Sequence, residues 1–200
     1  MFTELLNEIE RLRGLSGPRR RLLIGIAGPP GAGKSTLADG VVDRLGEAVA
    51  VPMDGFHLSN KELHRLGLGH VKGAPGTFDS AGYVALLRRI KEWPPEIVYA
   101  PSFDHVMNEP IAGSIPVFPE TPVVVSEGNY LLVWPEAREL FDLTVHIDTD
   151  PRARIAGLIA RQRDKGLSEE AAVEWVMRSD EANARLIGDF AHLATLHLRR

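Results

Sequence analysis

Residues 28–36 read GPPGAGKST, and this glycine-rich stretch lies between an apolar run and an amphipathic pattern. The apolar run Leu22–Ala27 precedes it, and apolar residues recur at helical spacing over residues 37–45. This order predicts a buried strand, a turn and a helix. Glycines let successive backbone N–H groups point inward at a polyphosphate, and the N-terminus of a helix adds positive potential. The stretch therefore predicts a phosphate-binding loop.

The residue types in this loop predict how a nucleotide is held. Lys34 is expected to reach the outer phosphates, and Ser35 can ligate Mg²⁺. The residues predicted to bind the nucleotide are Gly28, Pro29, Gly31, Ala32, Gly33, Lys34, Ser35 and Thr36. The alternative is a glycine-rich turn that binds nothing, but the spacing of the glycines and the Lys-Ser-Thr that follows argue against it. The loop does not decide the fate of the terminal phosphate, because kinases, motor ATPases, switches and transporters share it.

Length and composition narrow the class of protein. A chain of 200 residues favours one domain over 1–200 that can bury a core without disulfides or a structural metal. The absence of cysteine excludes a thiol nucleophile and a thiolate metal site, and it suits a cytoplasmic location. A formal net charge of −4 argues against a nucleic-acid partner, because affinity for phosphate backbones depends on clustered Lys and Arg.

The start of the chain, residues 1–17, predicts an amphipathic helix and a linker rather than a signal sequence. Its apolar residues share one helical face: Phe2, Leu5, Leu6, Ile9 and Leu12. No apolar run is long enough to span a bilayer, so no membrane partner is expected. The basic tract at 19–21 is interpreted as a solvated linker.

Apolar runs that alternate with helical patterns predict an α/β fold with a mainly parallel, five-stranded sheet. The predicted strands are 22–27, 48–53, 97–100, 123–126 and 143–147, with 193–198 as a possible sixth. Helices are predicted from about Asp79 to Trp93, from about residue 150 onward, and over about 168–187.

Three acids follow apolar runs, at the strand ends where parallel sheets bind ligands. Asp54 lies in MDGFHLSN beside the phosphate loop and is the candidate base, which would orient an acceptor hydroxyl and receive its proton. Glu127, in VVVSEGNYLL, is favoured with Ser35 for the magnesium site. Asp148 is the competing metal acid, although capping of the next helix is a sufficient reason for its presence.

The segment 152–165, RARIAGLIARQRDK, carries cations on two helical faces. Such a pattern is typical of a moving lid that brings guanidinium groups to the transferred phosphoryl group and excludes water. The alternative is a solvated basic helix. Its position between two predicted strands favours the lid, over about residues 151–168.

Five segments together resemble the phosphoribulokinase, uridine kinase and bacterial pantothenate kinase group of P-loop kinases. They are, in family order, GPPGAGKST, MDGFH, VKGAPGTFD, SEGNYLL and RQRDKG. The resemblance implies a three-layer P-loop NTPase fold with a helical lid. It implies Asp54 as catalytic base, Ser35 and Glu127 beside magnesium, and Arg161 and Arg163 as lid arginines.

The acceptor is less defined by the sequence. Uridine kinases tend to have Tyr where this chain has His57, and KGAPGTFD is more similar to the pantothenate kinase branch. The predicted acceptor-site residues, besides Asp54, are His57, Lys72, Asp104, His105 and Glu109. The histidines lack a tight spacing with other ligand residues, so they are not expected to bind a metal.

The function predicted from these patterns is transfer of the γ-phosphate of ATP, with Mg²⁺, to a hydroxyl of a small polar metabolite. That metabolite is expected to be pantothenate-, sugar- or nucleoside-like, and a homodimer is the assembly considered for the kinase. Lys34, Asp54 and the lid arginines would carry the reaction. The alternative is a nucleotide-driven switch or assembly factor that has no acceptor. The absence of an Asn-Lys-x-Asp guanine-binding motif leans against it.

Overall fold

The computed structural model describes residues 2–16 and 20–200. Along the chain, helices and strands alternate through most of its length. The elements are α1 (Phe2–Ser16), β1 (Leu22–Ala27), α2 (Lys34–Leu45), β2 (Ala48–Pro52), α3 (Asn60–Leu66), α4 (Ser80–Lys91), β3 (Val98–Asp104), β4 (Glu109–Val117), β5 (Val123–Gly128), α5 (Pro135–Arg138), β6 (Leu143–Asp148), α6 (Pro151–Asp164), α7 (Glu169–Trp175), α8 (Glu181–Phe190) and β7 (Leu196–Arg199).

A five-stranded sheet with the order β2-β5-β1-β6-β7 forms the centre of the protein. Each pair of neighbours in it is parallel. All residues of β1 and β5 are buried, as expected for central strands covered on both faces. The predicted α/β fold with a parallel sheet is thus confirmed.

Helices cover both faces of this sheet and make three layers. Leu22, Ile24 and Ile26 of β1 pack in one apolar cluster with α1 and α2. Leu23 points to the opposite face and packs in a second cluster with α4 and α8. The alternation follows from the two-residue period of a strand.

One of the five strands predicted for the main sheet does not belong to it. Residues 98–100 of the predicted strand 97–100 belong to β3, which pairs with β4 in a separate antiparallel two-stranded sheet. The possible sixth strand is real and, as β7, becomes the fifth strand of the main sheet. A short apolar run predicts a strand but not its partner, because pairing depends on contacts distant in sequence.

The basic tract also differs from its interpretation as a solvated linker. Arg19 lies outside the described residues, but Arg21 is only 1% exposed. Its guanidinium donates hydrogen bonds to the carbonyl oxygens of Thr121, Ile90 and Phe118 at 2.7–3.0 Å. Three carbonyl acceptors offset the cost of burying the cation, so Arg21, directly before β1, ties this strand to the β4–β5 loop and to the end of α4.

The ends of the chain refine two further predictions. Helix α1 forms as predicted, and residue 17 of the predicted linker lies outside the described residues. The helix predicted over 168–187 is divided into α7 and α8 by a π-helical turn, Val176–Asp180, and continues to Phe190. Within residues 2–16 and 20–200, none of the helices has both the length and the apolar character that crossing a membrane requires.

Candidate active site

The glycine-rich loop connects β1 to α2 at the carboxyl edge of the sheet. Gly31 and Gly33 have φ angles of 79° and 87°, in the left-handed region that favours glycine. A Cβ atom on Gly31 would lie 3.0 Å from Cγ of Leu158 in α6. Glycine at this position therefore allows both the turn and the close approach of α6 to the loop.

Lys34 begins α2 and is only 8% exposed. Its Nζ donates hydrogen bonds to the carbonyl oxygen of Pro29 at 3.1 Å and to Oδ1 of Asn129 at 2.8 Å. Burial lowers the pKa of Lys34, and the negative charges of Glu127 and Asp54 oppose that shift. A buried ammonium group with two neutral acceptors is well placed to exchange them for phosphate oxygens.

Ser35 and Glu127 lie side by side next to Lys34. The Ser35 hydroxyl donates a hydrogen bond to Oε1 of Glu127 at 3.1 Å. Glu127 is only 9% exposed, and burial raises the pKa of its carboxyl group, while Lys34 opposes the shift. A hydroxyl and a carboxylate are the hard oxygen ligands that Mg²⁺ prefers, so the two residues fit a magnesium site.

Asp54 lies on a short 3₁₀ helix, Met53–Phe56, that directly follows β2. A Cβ atom on Gly55 would collide with the carbonyl of Pro101, so glycine lets β3 pass close to this turn. The Asp54 side chain keeps 39% of its surface exposed. The turn therefore presents a carboxylate to solvent at the carboxyl end of the edge strand β2.

His57 closes the same turn. Its Nδ1 donates a hydrogen bond to the carbonyl oxygen of Asp54 at 2.8 Å, and its ring packs on Phe78 and Phe103 with centroids 4.0 and 4.7 Å away. Burial lowers the pKa of His57. The hydrogen bond and the two ring contacts fix the position of the imidazole, so Nε2 is the ring atom that can form a hydrogen bond with a ligand.

One cavity of about 790 Å³ joins the phosphate loop to the Asp54 turn. The residues around it come from the loop, from both sheets and from α6 to α8. Many of the predicted site residues line it: Gly31, Gly33, Lys34, Ser35, Thr36, Asp54, His57, Lys72, His105, Glu127 and Arg161. The structure thus brings the predicted nucleotide, acid and acceptor groups to one cleft.

Gly28, Pro29 and Ala32 belong to the same loop but do not line the cavity. The carbonyl oxygen of Pro29 accepts the Lys34 hydrogen bond described above, and it also accepts one from the N–H group of Ala32 at 3.1 Å. These three residues therefore contribute to the conformation of the loop and not to the cavity surface.

Two of the predicted acceptor-site residues lie away from the cavity lining. Oδ1 of Asp104 accepts hydrogen bonds from the N–H groups of Val106 and Met107 at 2.8 and 2.9 Å, which closes the turn between β3 and β4. The Glu109 carboxylate accepts the N–H group of Asn60 at 3.0 Å, at the start of α3. Both carboxylates therefore accept hydrogen bonds from backbone N–H groups of nearby segments and do not face the cavity.

Most of the basic segment forms α6, and four of its five cations separate into three groups. Arg161 and Lys165 line the cavity. Arg154 is buried and pairs with Glu181 of α8. Arg163 lies outside the cavity lining and pairs with Glu169 at 3.0 Å, where both side chains are more than half exposed. The structure therefore brings Arg161, but not Arg163, to the cleft.

Residues 23–191 match the model of the phosphoribulokinase / uridine kinase family. The chain belongs to this family. It is accordingly a kinase, an enzyme that uses ATP to phosphorylate small molecules. The geometry of the cleft, with a phosphate loop facing a strand-end acid, agrees with that membership.

Relatives of this kinase carry different substrate names. A provisionally named uridine kinase of Schizosaccharomyces pombe is 36% identical over 185 residues, which cover 84% of this chain and 79% of the relative. A uridine kinase of Borrelia hermsii is 28% identical over 161 residues, 80% of this chain and 77% of that one. A crystal structure from Silicibacter sp. TM1040, provisionally named a fructose transport system kinase, is 36% identical with a TM-score of 0.90 and covers 98% of both chains.

The kinase cleft contains residues that sequence reasoning missed. Asn129 accepts a hydrogen bond from Lys34, and Trp175, Ser179, Asp180 and Asn183 line the cavity from the α7–α8 region. Burial raises the pKa of Asp180, while the cations Arg154, Arg161 and Lys165 oppose the shift. The π-helical turn places Asp180 in the cleft, and no sequence pattern indicates that turn.

Asp148, the competing metal acid, lies elsewhere. Its side chain is 58% exposed and contacts Nδ1 of His146 at 3.3 Å. It does not line the cavity that contains Lys34 and Ser35. Glu127 is therefore the acid that lies beside the phosphate loop.

Proposed function

We propose that this kinase transfers the γ-phosphate of ATP to a hydroxyl group of a small polar metabolite, with Asp54 as the proton acceptor. One observation carries the proposal: Asp54 lines the same cavity as Lys34, and its charge acts on the Lys34 ammonium group. A phosphoryl group can then pass between a nucleotide on the loop and an alcohol held at the Asp54 turn. Because the transition state is loose, the carboxylate mainly orients the hydroxyl and takes its proton late.

The nucleotide would be held by the loop backbone and by Lys34. Glu127 and Ser35 would hold Mg²⁺, which when bound offsets the negative charge on the phosphate oxygens. On nucleotide binding, Nζ of Lys34 would exchange its hydrogen bonds to Asn129 and Pro29 for bonds to phosphate oxygens, because its present acceptors are neutral and the phosphate oxygens are charged. These residues bind and orient the phosphates before Asp54 acts.

The whole chain would act as one kinase domain with residues 151–168 as its lid. Arg161 and Lys165 already face the cavity, whereas Arg163 is paired with Glu169 outside it. Helix α6 already packs on the loop through Leu158, so a shift of its C-terminal end would bring the Arg161 guanidinium to the phosphoryl group and exclude water. We therefore assign the lid role to Arg161 and not to Arg163.

The acceptor would bind between the Asp54 turn and the β3–β4 sheet. Lys72, His57 and His105 supply donors there, and Phe78 and Phe103 supply apolar surface. Nζ of Lys72 donates to Oδ1 of Asn60 and to the carbonyl oxygen of Asn108, at 2.6 and 2.5 Å. Neither of these acceptors is charged, so a carboxylate or a hydroxyl of the acceptor could replace one of them. This surface suits a hydroxylated compound, including one that also carries an anionic group.

An acceptor screen tests the proposal. The purified chain, ATP and Mg²⁺ are incubated with uridine, fructose, D-glycerate, pantothenate or no addition, and ADP release and phosphorylated product are measured. We expect slow basal turnover and one compound that raises it at least tenfold with formation of its phosphate ester. Brisk ADP release that no compound alters would overturn the proposal in favour of a nucleotide switch.

A further inference from the structure

A second group of ligand-type side chains lies on the opposite half of the main sheet from Asp54. His146 and Asp148 are two residues apart on β6, so they share one face of the strand. His197 of β7 is the register partner of His146. The parallel pairing of β6 and β7 thus brings two imidazoles and one carboxylate together from positions about 50 residues apart.

The distances among these groups are in the range of a metal site. Nδ1 of His146 lies 3.3 Å from Oδ1 of Asp148. One ligand atom from each of the three residues lies within 4.8 Å of the other two. In a tetrahedral zinc site with bonds of about 2.0–2.1 Å, neighbouring ligand atoms are roughly 3.3 Å apart. One pair already has this separation, and rotation of the two exposed side chains can close the others.

A separate observation concerns the hydrogen bonding of His146. The residue is only 4% exposed, and neither of its ring nitrogens has a hydrogen-bond partner of acceptable geometry. Buried polar groups in native proteins almost always have a partner, so this ring needs an explanation. The groups within reach of it are the Asp148 carboxylate and the His197 ring, whose centroid is 5.9 Å away. A metal ion between the three would satisfy one of the two buried ring nitrogens.

We propose that His146, Asp148 and His197 form a binding site for a divalent transition-metal ion of the Zn²⁺ type. Two imidazoles and one carboxylate favour Zn²⁺ over the harder Mg²⁺, which prefers oxygen ligands alone. None of the three residues lines the cavity that contains Lys34 and Glu127, so the site is separate from that cavity. Its effect is to fasten the edge strand β7 to β6.

Metal titration of the full chain, without nucleotide or Mg²⁺, tests this site. Zn²⁺ binding is measured by calorimetry, and Co²⁺ is used as a coloured substitute whose visible spectrum reports tetrahedral nitrogen and oxygen ligands. We expect one ion per chain. The variants His197→Gln and Asp148→Asn should each weaken binding at least tenfold, and His70→Gln, at an exposed position on another part of the chain, should bind as the natural sequence does.

Thermal melting separates a lost site from a damaged fold. His197 and Asp148 are exposed, so their variants are expected to melt near the natural protein when no metal is present. Zn²⁺ should raise the melting temperature of the natural chain and of His70→Gln but not that of His197→Gln. Equal Zn²⁺ affinity in His197→Gln and the natural chain, or no Zn²⁺ binding by the natural chain, would overturn the proposal. The acceptor screen is unaffected by either outcome, because it depends on other residues.

Discussion

Two charged side chains on the nucleotide side of the cavity, Lys34 and Glu127, are buried, whereas the Asp54 carboxylate on the acceptor side is more open. Lys34 and Glu127 are 8% and 9% exposed, and each has a hydrogen bond to a neighbouring side chain. On the acceptor side, the Asp54 side chain is 39% exposed, and Val106 at the tip of the β3–β4 turn is 96% exposed.

The difference indicates which half of the site is built before the ligands bind. Buried charges need fixed partners, so the nucleotide half is already arranged for a polyphosphate. The acceptor half presents donors on a surface that a ligand can still cover. Nucleotide binding should therefore depend on a few fixed residues, while acceptor choice should depend on several residues with smaller effects.

Replacing Asp54 with Asn should have the largest effect and should separate the two halves most clearly. The variant keeps the size of the side chain but cannot accept the proton, so kcat should fall about 10²- to 10⁴-fold. ATP affinity, measured by fluorescence titration, should stay within about threefold, because Asp54 does not belong to the phosphate loop.

The matched variants for this experiment are Lys34→Ala and Asp43→Asn. Lys34→Ala should lower both turnover and ATP affinity, because Lys34 binds the phosphates in the ground state and in the transition state. Asp43→Asn removes an exposed carboxylate from α2 and should behave as the natural chain. Equal loss of ATP affinity in Asp54→Asn and Lys34→Ala would contradict the division of roles.

Glu127→Gln tests whether the buried acid serves function at the expense of stability. We expect kcat to fall about 10- to 100-fold, as for loss of a residue beside a metal. Burial raises the pKa of Glu127 in the folded chain, so its ionisation costs free energy of folding at pH values above the ordinary glutamate pKa. The melting temperature of the variant minus that of the natural chain should therefore increase as the pH rises from about 4.

Calorimetric melting of the nucleotide-free proteins across this pH range checks the sign. Glu120→Gln, at an exposed position, is the control and should show no such trend. A difference that decreases with rising pH would mean that the folded chain favours the ionised form of Glu127.

Lys72→Gln should give the smallest effect of the three and should act on the acceptor alone. We expect the KM for the acceptor to rise about tenfold, as for loss of one charged hydrogen bond, with the KM for ATP unchanged. Steady-state kinetics with the compound from the acceptor screen measures both constants. Lys61→Gln, an exposed change on α3, is the control. An increase confined to the KM for ATP would contradict this role and would indicate that Lys72 binds the nucleotide.

Sequence patterns predicted the nucleotide half of the site better than the acceptor half. GPPGAGKST and the strand-end acids lie in short segments whose glycine spacing and apolar flanks define the local structure. Asp104 and Glu109 were predicted for the acceptor pocket from polarity alone, yet both have partners in the backbone of nearby turns. Polarity does not tell whether a side chain faces a ligand or its own backbone.

The sequence by itself determined the strand–loop–helix that holds a polyphosphate, because that unit depends on neighbouring residues. The spacing of the histidines did not predict a metal site, although His146 and Asp148 are two residues apart and share one face of β6. Only the tertiary structure decided that His197 joins them, that Asp180 enters the cleft and that β3 leaves the main sheet. These outcomes depend on strand register and helix packing, which are fixed by the burial of apolar surface between distant segments.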